Sequence, residues 1–541
     1  MFERYREQAC QMVANWSVAE KIGQLFILAF PGKNAEAARI LIEQYNLGGC
    51  YLSQDNAETF AEARQLTRAM AAMVQQREHH VPLLLGVDQE GAWSVLTPAS
   101  TTGPGNLALG AANQTELTSA MYAVFGEQMR SAGFNCVLGP CSDVNLKPNS
   151  PIIDTRAFGE VPTHVAAHVA AAVQGGHQGG ITVCAKHFPG HGDTTGDTHR
   201  EIPVVDKSFE QLMQQDLLPF KAAVDAGVDL VMTSHIRYPQ LDAAHPATLS
   251  APILRVVLRE QLGFGGIVIS DSMNMGAIRR NYAPVDAALL AFKAGIDMMM
   301  LSEEHYDHNT AYLDNQLAML DAIVVEATAG RFPELDSIVS RVVAFKLARL
   351  QPMALYQDFN LAAHLEIEKQ AAQAAVKILR DPAQLLPIQA DQQVVVIQTT
   401  PLADYANLMN PRGIGPNQAI SAFDYFAAEI SLHLEADRLL ILDYAAAQAW
   451  LLNQASSSTA LVLAVTENYP LPGEDFQQAA SRELVDTLRR TVPQQLLIVG
   501  LRSGYEAMNS DVPYLCAYSS RECSARAAAR VCAGEIQSVL I

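Results

Sequence analysis

Short apolar runs alternate with helix-periodic stretches along the first two thirds of the chain. The runs fall at residues 23–30, 48–52, 83–87, 135–139, 182–186, 230–233, 266–270 and 297–301. Between them, residues 116–132, 162–175, 209–226 and 285–295 carry apolar positions at helical spacing. Ser17-Val18-Ala19-Glu20 reads as a capping box that opens a helix over 18–23, running into the first apolar segment. Eight strand-then-helix units predict an α/β fold, specifically a (β/α)8 TIM barrel with loop insertions over residues 1–350. A doubly wound sheet is the competing reading of the same alternation.

The pattern changes near residue 351. Residues 361–380 read as one Ala-rich helix, followed by Asp381-Pro382 and Pro387, and residues 351–388 are expected to form a linker. Beyond it, apolar runs at 394–397, 439–442, 460–465 and 496–499 alternate with helical segments such as 479–491. This predicts a second α/β domain over 389–541, with a largely parallel sheet. Gly413-Ile414-Gly415-Pro416 is not a dinucleotide fingerprint: the third glycine is missing and Pro416 interrupts a helix start.

Composition narrows the partners. The chain has 541 residues, 49% of them hydrophobic, enough to bury large cores. There are 57 acidic and 37 basic residues, for a formal charge of −20, which would repel a nucleic acid. No run of about 18 apolar residues suggests a membrane span. Met1 to Trp16 is too charged for a signal peptide, and the eight cysteines show no CxxC or zinc spacing. A cytoplasmic, reducing location is expected.

Polar residues gather just after the predicted strands: Asp88-Gln89-Glu90, Asp143 and Asn145, Lys186-His187, Ser234-His235 and Asp271. Barrel enzymes build their sites from that end of the sheet. The longest polar cluster, 186–199, holds three histidines, two aspartates and a lysine among turn-forming glycines and a proline. A metal site is one reading, although neither an early His-x-His pair nor a His-Glu-x-x-His helix exists. General acid/base work is the other, since histidine titrates near neutrality. Asp197 could accept the second ring proton of His199 and favour the imidazolium. Asp271 ends a buried run and points to a nucleophile, a metal ligand or a structural acid; Lys186 and Arg156 would keep it ionised.

These residues together resemble glycoside hydrolase family 3, more narrowly its bacterial β-N-acetylglucosaminidase branch of the two-domain type. The resemblance rests on 186–199, Ile269-Ser270-Asp271 and Asp88-Gln89-Glu90-Gly91. It extends to Asn106-Leu107-Ala108-Leu109-Gly110, Asp143-Val144-Asn145, Arg156-Ala157-Phe158-Gly159, Pro246-Ala247-Thr248-Leu249-Ser250 and Ala294-Gly295-Ile296-Asp297-Met298. It implies a TIM barrel followed by an αβα sandwich domain. It also implies Asp271 as nucleophile, His199 as acid/base with Asp197 as its partner, and Asp88, Arg156, Lys186 and His187 as holders of sugar hydroxyls. No metal and no cofactor are implied. The expected activity is that of a retaining exo-β-N-acetylglucosaminidase acting on a small glycoside, such as a cell-wall or muropeptide fragment. A β-glucosidase, a β-glycoside phosphorylase and a non-catalytic sugar-binding protein are the alternatives. Two departures from the family pattern stand out. Ala92-Trp93 replaces the usual Gly-Arg after Glu-Gly, and Asp154-Thr155 puts an acid beside the sugar-binding Arg156.

Overall fold

The computed structural model describes residues 2–53, 55–91, 100–147, 152–194, 196, 198, 201–302, 312–350, 358–401, 420–467, 479–505 and 511–540. Trp93, Asp197, His199 and the 413–416 segment lie outside them.

All eight predicted strands of the first domain form. They are β1 Phe26–Leu28, β2 Gly49–Leu52, β3 Leu84–Val87, β4 Cys136–Val137, β5 Thr182–Phe188, β6 Leu230–Thr233, β7 Ile267–Ile269 and β8 Met299–Leu301. They pair in parallel in the order β7-β6-β5-β4-β3-β2-β1-β8. Ile269 bridges Met298, and Ser270 N donates to Met298 O at 3.0 Å, so β7 meets β8 and the ring closes. The fold is therefore the (β/α)8 barrel and not an open doubly wound sheet. Every strand residue is buried, as expected where side chains fill the barrel on one face and helices cover the other. The capping box forms as expected, with Ser17 N donating to Glu20 Oε2 at 2.7 Å. The stretch 209–226 is two helices, Phe209–Gln214 and Leu217–Asp225. At the break lies Asp216, buried and bonded to Lys207 Nζ at 2.7 Å.

Buried carboxylates fasten the end of the barrel where strands begin. Asp297 Oδ2 accepts from Val268 N at 2.9 Å and Arg259 Nη2 at 2.6 Å, while Oδ1 accepts from Arg341 Nη1 at 2.9 Å. Asp229 likewise accepts from Val183 N at 3.1 Å, His177 Nε2 at 2.8 Å and Arg349 Nε at 2.6 Å. Each carboxylate ties a strand amide to helix side chains.

The strands of the second sheet are β9 Lys377–Arg380, β10 Val394–Gln398, β11 Leu439–Leu442, β12 Leu461–Thr466, β13 Leu496–Gly500, β14 Tyr514–Cys516 and β15 Val539–Leu540. They lie in the order β11-β10-β12-β13-β14-β9-β15. The core strands are parallel, and β9 runs antiparallel to β14. Alternation along them makes two cores. Val394, Val396, Leu461, Leu463 and Val465 pack against helices Ala422–Ile430 and Glu522–Ala533. Val395, Ile397, Val462 and Ala464 pack on the other face, against helices Tyr444–Asn453 and Ala479–Thr491. This is an αβα sandwich.

One expectation fails. Residues 361–380 are not a single helix: helix Leu361–Ala375 stops, and Lys377–Arg380 becomes β9. Cross-strand pairing of Ile378 with Leu515 outweighs the helical propensity of the Ala-rich stretch. The helix itself is docked on the barrel. Glu368 Oε1 accepts from Gly103 N at 2.7 Å, and Ala375 packs with Ala108 and Ala112. Among the described residues, no helix is long and apolar enough to cross a membrane.

Removing Asp297 would leave two arginines and a buried amide unmatched. Asp297→Ala is expected to lower unfolding stability by about 3–5 kcal/mol, the usual cost of breaking a buried ion pair on one side. Urea unfolding checks this, and a loss below about 1 kcal/mol, the range of exposed pairs, would contradict it.

Candidate active site

At the opposite end, where strands finish, one continuous polar network fills the barrel mouth. Lys186, on β5, donates from Nζ to Asp88 Oδ1 and to Glu90 Oε1, both at 2.6 Å. Arg156 straddles the Glu90 carboxylate, with Nε to Oε2 at 2.8 Å and Nη2 to Oε1 at 3.0 Å. Arg156 Nη2 also lies 3.2 Å from His187 Nε2, and His187 Nδ1 lies 2.8 Å from Asp143 Oδ2. A guanidinium has only donors, so His187 Nε2 accepts and its Nδ1–H donates to Asp143. Tyr51, from β2, donates its hydroxyl to Asp88 Oδ2 at 2.9 Å. Strands β2, β3, β4 and β5 thus all feed one network.

Burial sets the electrostatics. Glu90 would be pushed up by desolvation, but Arg156 and Lys186 overcome this and hold its carboxyl far below the usual range. Burial works against the charge on Lys186 too, and Asp88 and Glu90 more than offset it, so its ammonium stays protonated above the ordinary lysine range. Asp143 is desolvated, yet His187 and His191 bring it down to about 2. Three carboxylates (Asp88, Glu90, Asp143) face two permanent cations (Lys186, Arg156). Among these five groups the carboxylates outnumber the cations by one. That excess suits a reaction whose transition state gains positive charge.

The loop after β5 is held on the same carboxylate. His191 N donates to Asp143 Oδ1 at 2.6 Å. Desolvation and the nearby His187 lower the His191 imidazole to about 4, so it is neutral near pH 7. Its ring nitrogens engage the hydroxyls of Thr194, at 2.8 Å, and Thr198, at 3.3 Å. Gly192 is required here, because a Cβ would lie 1.6 Å from Val144 O. Gly190 has φ +142, outside the range that suits other residues.

Asp271 follows β7, half-buried, with Oδ1 accepting from Ser272 N at 2.7 Å. Its neighbours face the other way and sew β7 to β8: Ser270 Oγ accepts from Met300 N at 3.0 Å and Ser272 Oγ from Ser302 N at 3.2 Å. His235 Nε2 donates to Ser272 O at 2.9 Å, bracing the segment from β6.

Of the residues singled out in the sequence, Asp88, Arg156, Lys186 and His187 come together directly. Asp271 stands two strands away from β5, and Asp197 and His199 are outside the described residues. Lys186 and Arg156, the cations expected to keep Asp271 ionised, are paired with Asp88 and Glu90. The sequence-based set left out Glu90, Asp143 and His191. Their signal was present, since each follows a strand or lies in the polar loop, but only the fold shows that Glu90 and Asp143 carry the pairing. Cys141, Asp143 and His187 offer ligand atoms within 4.8 Å of one another. Each is already engaged: the Cys141 thiol, pushed well up by burial, donates to Asp143 Oδ2 at 3.2 Å, and Arg156 caps the imidazole.

Residues 17–344 match the family model described as the glycosyl hydrolase family 3 N-terminal domain. The chain belongs to glycosyl hydrolase family 3. It is 31% identical over 376 residues to a protein of Pseudoalteromonas piscicida named beta-hexosaminidase A. That alignment covers 66% of this chain but only 63% of the relative's length, under two thirds. A Cellulomonas fimi protein named beta-N-acetylglucosaminidase/beta-glucosidase is 28% identical, over 73% of this chain and 70% of its own. Among solved structures, a family 3 beta-N-acetylglucosaminidase from Paenibacillus sp. str. FPU-7 superposes with a TM-score of 0.82 at 25% identity. It covers 97% of this chain and 98% of its own, so the two-domain architecture is shared throughout. Family membership makes the chain a glycoside hydrolase.

Two outcomes follow from the Asp143 pairings. Its folded pKa, about 2, lies below the ordinary 3.8, so its stabilisation is complete above pH 3.8 and is lost as pH falls through about 2. The difference corresponds to about 2 kcal/mol. The stability gap between wild type and Asp143→Asn is expected to hold from pH 7 to about 4 and to narrow below that in acid unfolding; a gap that widens in acid would contradict it. Gly192→Ala should displace the loop from the 143–145 segment and lower kcat/KM on a β-glycoside at least about tenfold, in line with the sensitivity of catalysis to small displacements. Unchanged kcat/KM would show that the loop's close approach is unimportant.

Proposed function

We propose that this glycoside hydrolase is a retaining exo-β-N-acetylhexosaminidase, with Asp271 as nucleophile and His199 as acid/base. Asp197 is the partner of His199, and Asp88, Arg156, Lys186 and His187 hold the terminal sugar. The observation that carries the reading is the buried network at the barrel mouth. It offers charged donors and acceptors to sugar hydroxyls, and its carboxylates outnumber the lysine and arginine beside them. Support for the acid/base comes from Thr198, the residue before it. Thr198 O accepts from Ala277 N at 3.1 Å, which brings the end of the loop against the segment following Asp271. The names of the Pseudoalteromonas and Paenibacillus relatives favour an N-acetylhexosamine.

In this reading a carboxylate oxygen of Asp271 bonds to the anomeric carbon as the bond to the leaving oxygen breaks. Imidazolium His199 gives that oxygen its proton. The covalent glycosyl-enzyme is then opened by water, whose proton returns to His199, and the β-configuration is retained. The pair divides one difficult substitution into two easier ones. Cell-wall fragments are the proposed source of the sugar and the cytoplasm the proposed compartment, the latter supported by eight cysteines that are all free.

The dual name of the Cellulomonas relative raises a second reading, hydrolysis of β-glucosides by the same site. Parallel assays with 4-nitrophenyl β-N-acetylglucosaminide and β-glucoside separate the two, and a preference for the acetamido sugar of at least about tenfold is expected, the discrimination a few pocket contacts provide. A glucoside preference would overturn the hexosaminidase reading. Asp271→Ala should lower kcat by about a thousandfold or more while leaving the fold intact. Undiminished turnover would reject the nucleophile assignment. Rate stimulation by added phosphate, with sugar 1-phosphate as product, would replace hydrolysis by phosphorolysis.

A further inference from the structure

The sandwich domain does more than stand beside the barrel. Its strand β13 ends at Gly500, and the segment that follows crosses to the barrel at two points. Arg502 Nε and Nη2 reach Asp154 Oδ2 at 2.8 and 2.7 Å, with both side chains almost fully buried. Three residues further on, the Tyr505 hydroxyl accepts from Asn145 Nδ2. Both barrel partners belong to the long connection after β4. Asn145 is two residues from Asp143, which holds His187 and His191. Asp154 is two residues from Arg156, which holds Glu90 and His187. One segment of the second domain therefore grips the connection beside each of its two site residues.

We propose that Arg502 is a positioning residue for the sugar site: by neutralising Asp154 it fixes the turn that aims Arg156 at Glu90 and His187. The proposal rests on the functional reading above only where it assigns Arg156 to the sugar.

The local geometry explains why a partner is needed. Asp154 has φ +37, a backbone conformation that side-chain-bearing residues avoid, and it opens the short turn Asp154–Arg156. The turn is closed by Arg156 N donating to Ile153 O at 2.7 Å, and Arg156 O accepts from Asn106 Nδ2 at 2.7 Å. Asp154 is an acid that the family pattern did not lead one to expect beside the sugar-binding arginine. Without Arg502 it would be a buried, uncompensated carboxylate two residues from Arg156. It would then compete with Glu90 for the guanidinium and pull Arg156 out of line. Glu467 is also buried and accepts from Phe423 N at 3.2 Å; burial raises its carboxyl to about 8.

The test compares wild type, Arg502→Lys, Arg502→Ala and the double variant Arg502→Gln with Asp154→Asn. Steady-state kinetics on 4-nitrophenyl β-N-acetylglucosaminide are measured with thermal unfolding and amide hydrogen exchange of the 153–157 segment. Arg502→Ala is expected to raise KM at least about tenfold with kcat within about threefold, the pattern of lost ground-state binding. Exchange at 153–157 should be faster, and Arg502→Lys should recover most of the KM. The double variant, which has no orphan charge, should fall between wild type and Arg502→Ala. If Arg502→Ala does not fold, the double variant still decides, with a KM above wild type expected. Wild-type KM and wild-type exchange in a folded variant, with only the melting temperature lowered, would overturn the proposal and reduce the contact to interdomain adhesion. Wild-type protein inert on both glycosides would count against the functional reading alone, because exchange at 153–157 reports on Arg502 without turnover.

Discussion

Everything at the barrel mouth depends on Glu90 being shared by Lys186 and Arg156. Three charged groups are buried there at distances of 2.6–3.0 Å, where a missing partner is costly. The carboxylate fixes both cations, and through Arg156 it fixes the tautomer of His187. His187 in turn leans on Asp143, which also takes the amide of His191 and so anchors the loop after β5. A chain of pairings from β2 to β5 is thereby made rigid by one residue that itself need not touch a sugar. Preorganised charge of this kind lets a site act on a developing oxocarbenium ion without reorganising during the reaction.

The barrel's two ends use the same chemistry for different purposes. Asp297 and Asp229 are buried acids paired with arginines and strand amides at the end where strands begin, far from the polar mouth. Glu90 and Asp143 are buried acids at the other end. Strand direction tells the two sets apart.

The sequence made the barrel legible because each strand is a short, mostly apolar run, most with polar residues at or soon after its end, and eight such runs leave few alternatives. The second domain was legible for the same reason in β10 to β13. It was not legible in β9, where the Ala-rich stretch continued without a break and pairing with β14 and β15 turned Lys377–Arg380 into strand. At the site, Asp88, Arg156, Lys186 and His187 were recoverable because they match a family pattern. Glu90 and Asp143 were visible as the same kind of residue, but nothing in one dimension distinguishes a carboxylate that clamps two cations from one that caps a helix. Arg502 and Tyr505 could not be found at all from the sequence. Each lies more than three hundred residues from its partner, 348 and 360 respectively, and no local pattern marks the crossing.

The proposed mechanism turns on the Asp271 carboxylate, just beyond β7, bonding covalently to the anomeric carbon. A fluorinated N-acetylhexosaminyl fluoride, which slows hydrolysis of the intermediate more than its formation, tests this most directly when followed by proteolysis and mass mapping. One sugar adduct is expected, on the peptide containing Asp271. An adduct on another carboxylate, or steady turnover to the inverted anomer with no adduct, would contradict it.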